Sequence, residues 1–225
     1  MTETYYSYVP VDRVPTDDEM ERFGKVKVEA LSFDISDPTE NLTVMPLLYQ
    51  LADKAQRQIL EKDYQVRPFV VKSVEPERIM VDKLFAAELD WRNEKKPNRF
   101  SDMAKHIYDL AVLQSEQKVM ASFLSPKKLA ALLAIERTEQ AGRKDRGDIK
   151  CPRPVDFIFF DALTGSREIR KAYDYMQRVY VLSPRFLISF DEMCIRLQKL
   201  KRALLANSAW TSAVTSDIEL HGLLR

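Results

Sequence analysis

Glycine is scarce in this chain: there are five in 225 residues, and no two are adjacent. That excludes the Gly-Gly turn with which many proteins bring their backbone against a phosphate. Cysteine is limited to Cys151 and Cys194, and histidine to His106 and His221. Neither pair has metal-ligand spacing, so a structural zinc is not expected, and two separated thiols suit a reducing, cytoplasmic setting better than a disulfide framework. No apolar run approaches the ~20 residues of a membrane span, and the polar, tyrosine-rich start is unlike a signal peptide. Neither sign of charge prevails: 35 Lys and Arg face 34 Asp and Glu, for a net charge of +1. The chain as a whole exerts no steep pull on nucleic acid, so contact with RNA would rest on local basic clusters. Internal repeats and low-complexity tracts are missing as well.

What remains is the material of a folded protein. With 45% hydrophobic and 31% charged residues, the chain can bury a core in one large or two small domains. The expected fold class is α+β, a partial sheet followed by a mainly helical bundle, divided into 1–74, 75–206 and a weakly patterned tail, 207–225. Tyr5, Tyr6, Tyr8 and Val9 read as one strand, followed by a charged connector over 11–23. Lys25, Lys27 and Glu29 alternate with apolar residues on a second strand. Segment 42–62 reads as one helix with Leu47, Leu48, Leu51, Ala55 and Ile59 along a face, and 64–74 as a strand. Ser125 and Pro126 open a helix that closes at Gly142. Helices over 161–182 and 189–205 follow, the latter started by a capping box from Ser189 to Glu192. Tyr173, Met176, Tyr180 and Phe186 read as core packing rather than as a platform for stacked bases.

The densest information lies in 75–113, which reads as two successive helices. Pro76 presets the first turn of one, with Glu75 and Glu77 at its positive end, and Ser101 is the expected N-cap of the other. Lys83 shares a stripe with Ile79, Ala86, Ala87 and Asp90, where small neighbours can leave a cleft. Asp109 lies off the apolar stripe of its helix, within reach of Lys105 and His106. On periodicity alone, Asp109 is a surface partner of Lys105 and Lys83 an ammonium snorkelling over apolar surface.

Glu77, Arg78, Lys83, Leu84 and Ala86, followed by Arg99, Ser101, Tyr108, Asp109 and Leu110, form a pattern that resembles the C-terminal signature of the AbiEii/AbiGii nucleotidyltransferase-like toxins. The similarity extends outward to 25–33, 172–180 and 189–192. The resemblance implies a polymerase-β-like sheet ahead of a helical part. It also implies transfer of nucleotides from a nucleoside triphosphate to RNA, notably tRNA, dependence on Mg²⁺, and restraint by a cognate antitoxin. In that pattern Lys83 falls near the triphosphate and Asp109 near the reacting centre.

The sequence also departs from the family. Its enzymes carry a glycine-rich turn and an Asp-x-Asp pair, because two metals need paired carboxylates. Neither occurs here. Asp174 and Asp34 lack a second acid in the right place, and Asp17, Asp18 and Glu19 belong to a capping box begun by Thr16. Glu29 resembles the acid that some members carry on the next strand, although its own pattern is that of a solvated strand face. The expectation is a family member that begins just after its metal-binding strands and is catalytically incomplete, or a non-enzymatic binder of nucleotide, RNA or antitoxin. Two basic clusters could serve a substrate backbone. Lys95, Lys96 and Arg99 join Arg92 between the signature helices, and Arg137, Arg143, Lys144, Arg146 and Lys150 surround a later loop. A sheet without its first strands would expose an edge, which self-association could cover.

Overall fold

The computed structural model describes residues 2–7, 25–30, 37–142, 151–181 and 183–213, the first two stretches and 141–142 as backbone alone. Tyr8, Val9, the 11–23 connector, residues 143–150 of the second basic cluster and His221 lie outside the described residues.

Among the described residues, two antiparallel pairs of strands make up the β part. β1 (Thr2–Ser7) pairs with β2 (Lys25–Ala30), setting Glu3 opposite Glu29. β3 (Thr39–Val44) pairs with β4 (Phe69–Val74). Between β3 and β4 the single helix expected over 42–62 is instead a strand end and two helices, α1 (Leu47–Leu51) and α2 (Lys54–Asp63). The β-branched Thr43 and Val44, paired with Val70 and Phe69 of β4, favour the sheet, and Asp53 then restarts the helix with a reciprocal capping box to Gln56. Leu47, Leu48, Leu51 and Ile59, expected to be covered, are exposed.

The core belongs to the helices. α3 (Pro76–Arg92) and α4 (Arg99–Leu113) form an antiparallel hairpin, followed by α5 (Gln117–Phe123) and α6 (Pro126–Gly142). α4 starts at Arg99 rather than after Ser101, with Asn98 at its cap. The helix expected over 161–182 is interrupted. α7 (Phe159–Ala162) passes through a 3₁₀ turn at Leu163–Gly165 before α8 (Arg167–Tyr180) begins, because the Ser166 hydroxyl accepts from the Ile169 amide and caps a new helix. α9 (Phe190–Leu205) opens with Ser189 accepting from the Glu192 amide.

Helical order continues beyond residue 206. Asn207 caps α10 (Ser208–Thr211), and Trp210 on it is buried. Phe157 meets both Trp210 and Phe85 edge-on, with ring centroids 5.5 and 5.0 Å apart, so the end of the chain is tied to α3 through one aromatic cluster. Glu88, wholly buried on α3, accepts from the amides of Ile158 and Phe159 and from Arg92, fixing the start of α7. No described helix is long and apolar enough to cross a membrane.

Candidate functional site

Lys83 lies nine residues before the end of α3 and Asp109 ten after the start of α4. In an antiparallel hairpin with equal rise per residue, the two positions reach the same height. Lys83 Nζ accordingly stands 2.8 Å from Asp109 Oδ2, with the side chains 27% and 39% exposed. Periodicity alone pointed Asp109 toward Lys105, but the facing helix supplies the nearer cation. Lys105 turns instead to Asp102, 3.7 Å away, and lies 5.6 Å from the centre of the Tyr180 ring.

A cleft of about 660 Å³ opens beside this pair, lined by Tyr108, Asp109 and Lys105 of α4, Met176 and Tyr180 of α8, and Val181, Ser183 and Phe186 of the loop that follows. The cleft was expected at the alanines beside Lys83, yet Ala87 is packed into the core. Of the four residues expected to be core, Tyr173 and Met176 are buried, whereas Tyr180 and Phe186 are 52% and 47% exposed and wall the cleft. The sequence signal for that difference is position. Tyr180 is the last residue of α8, and Phe186 lies in the connection to α9, where the chain turns over the surface.

The loop is firmly held. Gln177 Nε2 donates to the Ile188 carbonyl at 2.7 Å, and the Ile188 amide donates back to Gln177 Oε1 at 2.8 Å. The Tyr173 hydroxyl donates to the same carbonyl, and the Tyr108 hydroxyl donates to the Phe186 carbonyl, both at 3.0 Å. Burial pushes the Tyr173 phenol well above its ordinary range, so it remains a donor at any physiological pH.

Toward the turn of the hairpin the charges close on one another. Lys96 bridges Asp90 and Asp102, each at 2.8 Å, and the pairing holds the Asp102 carboxyl low despite its partial burial. Arg99 donates to the Trp91 carbonyl at 3.3 Å and stacks on Phe100. Arg92 is bound to Glu88 and to the Asp156 carbonyl. Two of the three candidate substrate-binding cations therefore also brace the turn, while Lys95 is exposed.

His106 sits among these charges. Its Nε2 is 3.6 Å from Asp90 Oδ2, and its buried Nδ1 has no hydrogen-bond partner. Burial, reinforced by Lys83, Lys96 and Lys105 against the opposing pull of Asp102, lowers its pKa to about 4, so the imidazole is neutral at ordinary pH.

Among the described residues, metal-ligand spacing is found only for Asp82, Glu136 and Glu139, which sequence reasoning had not connected. The site does not fit Mg²⁺, because a guanidinium fills it. Fully buried Arg78 reaches Asp82 at 2.5 Å, Glu136 at 2.7 Å and Glu139 at 2.6 Å, so the carboxylates already have their cation. Burial and a hydrogen bond with Glu136 push the Asp82 carboxyl up to about 8 against the pull of Arg78, so it shares a proton with its neighbours rather than offering a free charge. Glu29, the other candidate ligand, lies on β2 in the separate two-stranded pairing with β1.

No curated protein and no solved structure matches the chain significantly. A family model described as nucleotidyl transferase AbiEii toxin, type IV toxin–antitoxin system, matches residues 6–182, a span that contains Lys83, Asp109 and most of the cleft. The chain belongs to the AbiEii family of nucleotidyl transferase toxins.

Proposed function

We propose that this chain holds a nucleoside triphosphate at the Lys83–Asp109 pair, and that it is the nucleotide-binding portion of a nucleotidyltransferase site, incomplete for catalysis on its own. The observation that carries the reading is the ammonium of Lys83, partly open to solvent and held 2.8 Å from Asp109, which itself lines the 660 Å³ cleft. Asp109 fixes the position of the ammonium, and the exposed side of Lys83 offers a point charge to a phosphate oxygen.

Incompleteness is supported by the absence of an Asp-x-Asp pair from the sequence and by the guanidinium that fills the acidic cluster. Two-metal transfer needs paired carboxylates, and positioning alone does not replace them. Transfer therefore requires carboxylates other than those of the described clusters, with Glu29 as the proposed contributor from this chain. A cognate antitoxin and a tRNA acceptor are the partners proposed from the family, with Lys95 available to the RNA backbone. The uncovered apolar side chains of α1 and α2 make self-association the proposed way of protecting the β part.

The test has two arms. Calorimetric titration with each nucleoside triphosphate is expected to show binding that Lys83→Ala weakens by about 10-fold or more, the scale of losing a charge-assisted contact. Incubation of the chain with Mg²⁺, α-labelled triphosphates and total tRNA is expected to leave the RNA unlabelled. Labelled RNA would overturn incompleteness, and absence of triphosphate binding would overturn the nucleotide reading itself.

A further inference from the structure

We propose that the cleft formed by Tyr108, Tyr180 and Phe186 is a nucleobase site, which takes the base of the mononucleotide whose phosphates face Lys83. The inference rests on the nucleotide-binding reading above and extends it to the part of the ligand that Lys83 does not touch.

The argument starts from exposure. Large aromatic side chains half open to solvent forfeit much of the burial that ordinarily places them in a core, yet Tyr180 and Phe186 stand 52% and 47% exposed and both line one cleft. Their positions are fixed by the packing behind them. Phe186 belongs to the loop pinned by Gln177, Tyr173 and Tyr108, and Tyr180 ends α8, whose inner face is buried. Such a cleft loses little order when it fills, which favours a rigid, flat ligand. Its volume of about 660 Å³ lies within the ~300–1,000 Å³ usual for small-molecule sites.

Charge then decides between an uncharged aromatic and a nucleotide. Lys105 lies 5.6 Å from the centre of the Tyr180 ring, and Arg185 lies 4.5 Å from that of Phe186. Among the described residues that line the cleft, Asp109 is the only acid, and Lys83 pairs with it. An apolar slot with cations at its rim complements a flat base that carries phosphates. Because Asp109 both lines the cleft and pairs with Lys83, base and phosphate sites are continuous. Ser183 supplies a hydroxyl for the edge of the base, since the Tyr108 hydroxyl is engaged by the Phe186 carbonyl.

The test uses the whole chain and two kinds of ligand: the four nucleoside triphosphates, and inorganic tripolyphosphate, which has phosphates without a base. A double substitution, Tyr180→Ala with Phe186→Ala, removes exposed rings and leaves the core intact. It is expected to weaken triphosphate binding about 10-fold or more while leaving tripolyphosphate binding unchanged, and Tyr180→Phe is expected to retain the stack. Lys83→Ala should weaken both ligands. The fluorescence of 2-aminopurine riboside triphosphate should be quenched on binding to wild type and not by the double variant. Equal affinity of wild type for tripolyphosphate and nucleotide, or unchanged nucleotide binding by the double variant, would overturn the base site and leave the phosphate reading standing. Preference for single-stranded RNA over every mononucleotide would overturn it in favour of an RNA end. Failure to bind either triphosphates or tripolyphosphate would remove the reading on which it rests.

Discussion

Replacing Arg78 with methionine is expected to destabilise the protein by about 3–5 kcal/mol, the range found when one partner of a buried ion pair is removed. The loss does not come mainly from the attraction surrendered. Arg78 is wholly buried on α3, and the side chain of Glu136 opposite it on α6 is only 3% exposed, so the substitution would leave that carboxylate in the interior without a cation. Glu136 would keep its hydrogen bonds with Gln140 and Asp82 but no cation, too little for a buried charge. The Nε of Arg78 is itself buried without a partner, so even the native arrangement is not fully satisfied. Urea unfolding should show a lower midpoint at an unchanged slope. Combining Arg78→Met with Glu136→Leu should recover much of the loss, because both charges then leave the interior together. If the single substitution proves nearly neutral, the cluster is not the junction between α3 and α6 that its geometry describes.

Half of that cluster was legible in the sequence. Arg78 and Asp82 are spaced four apart on a helix whose start Pro76 announces, and Glu136 and Glu139 share a face of α6 at a spacing of three. That the two faces meet depends on how α6 returns across α3, a matter of tertiary packing. The Lys83–Asp109 pair shows the same division. Both residues stand out by resemblance and both sit on well-signalled helices, but local spacing favours Lys105 as the partner of Asp109, and only the antiparallel hairpin brings Lys83 closer.

Other features were misread for reasons that can be named. Leu47 to Ile59 carry a helical period, yet pairing of Leu42, Thr43 and Val44 with β4 and the cap at Asp53 divide the segment. Apolar periodicity also implied a covered face that the described residues do not supply. Trp210 falls in the weakly patterned 207–225 stretch because a four-residue helix has too short a period to register, although a tryptophan amid weakly patterned sequence is itself a signal of burial. The aromatic cleft escaped for the opposite reason. Tyr180 continues the stripe of Tyr173 and Met176, and periodicity does not register that the helix ends there.

His106 makes the stability of the protein sensitive to acid. Its pKa falls from an ordinary 6.5 to about 4 on folding, so between those values the unfolded chain binds more protons than the native one and stability must fall as pH falls. The contribution is fully present above pH ~6.5 and is lost on the way to pH ~4, amounting to about 3 kcal/mol for a shift of this size. Burial sets it first, and the charged groups facing the ring are Lys83 and Asp90 on α3, Lys96 in the turn, and Asp102 and Lys105 on α4. Three cations oppose a charge on the imidazole, and the two carboxylates near it are already bridged by Lys96. Asp82 titrates in the contrary sense. Its raised pKa means that the native state holds a proton the unfolded chain gives up, so its contribution is present in acid and is lost as pH rises through about 8. The measurement is therefore a difference, with wild type and His106→Leu unfolded in urea at a series of pH values, so that the Asp82 contribution is common to both. Relative to the variant, wild type should lose about 3 kcal/mol between pH ~6.5 and ~4 and nothing above that window. A flat difference across the window would mean that the imidazole is charged in the native protein. Its Nε2, 3.6 Å from Asp90, would then have closed to an ion pair on the inner side of the hairpin that carries Lys83 and Asp109.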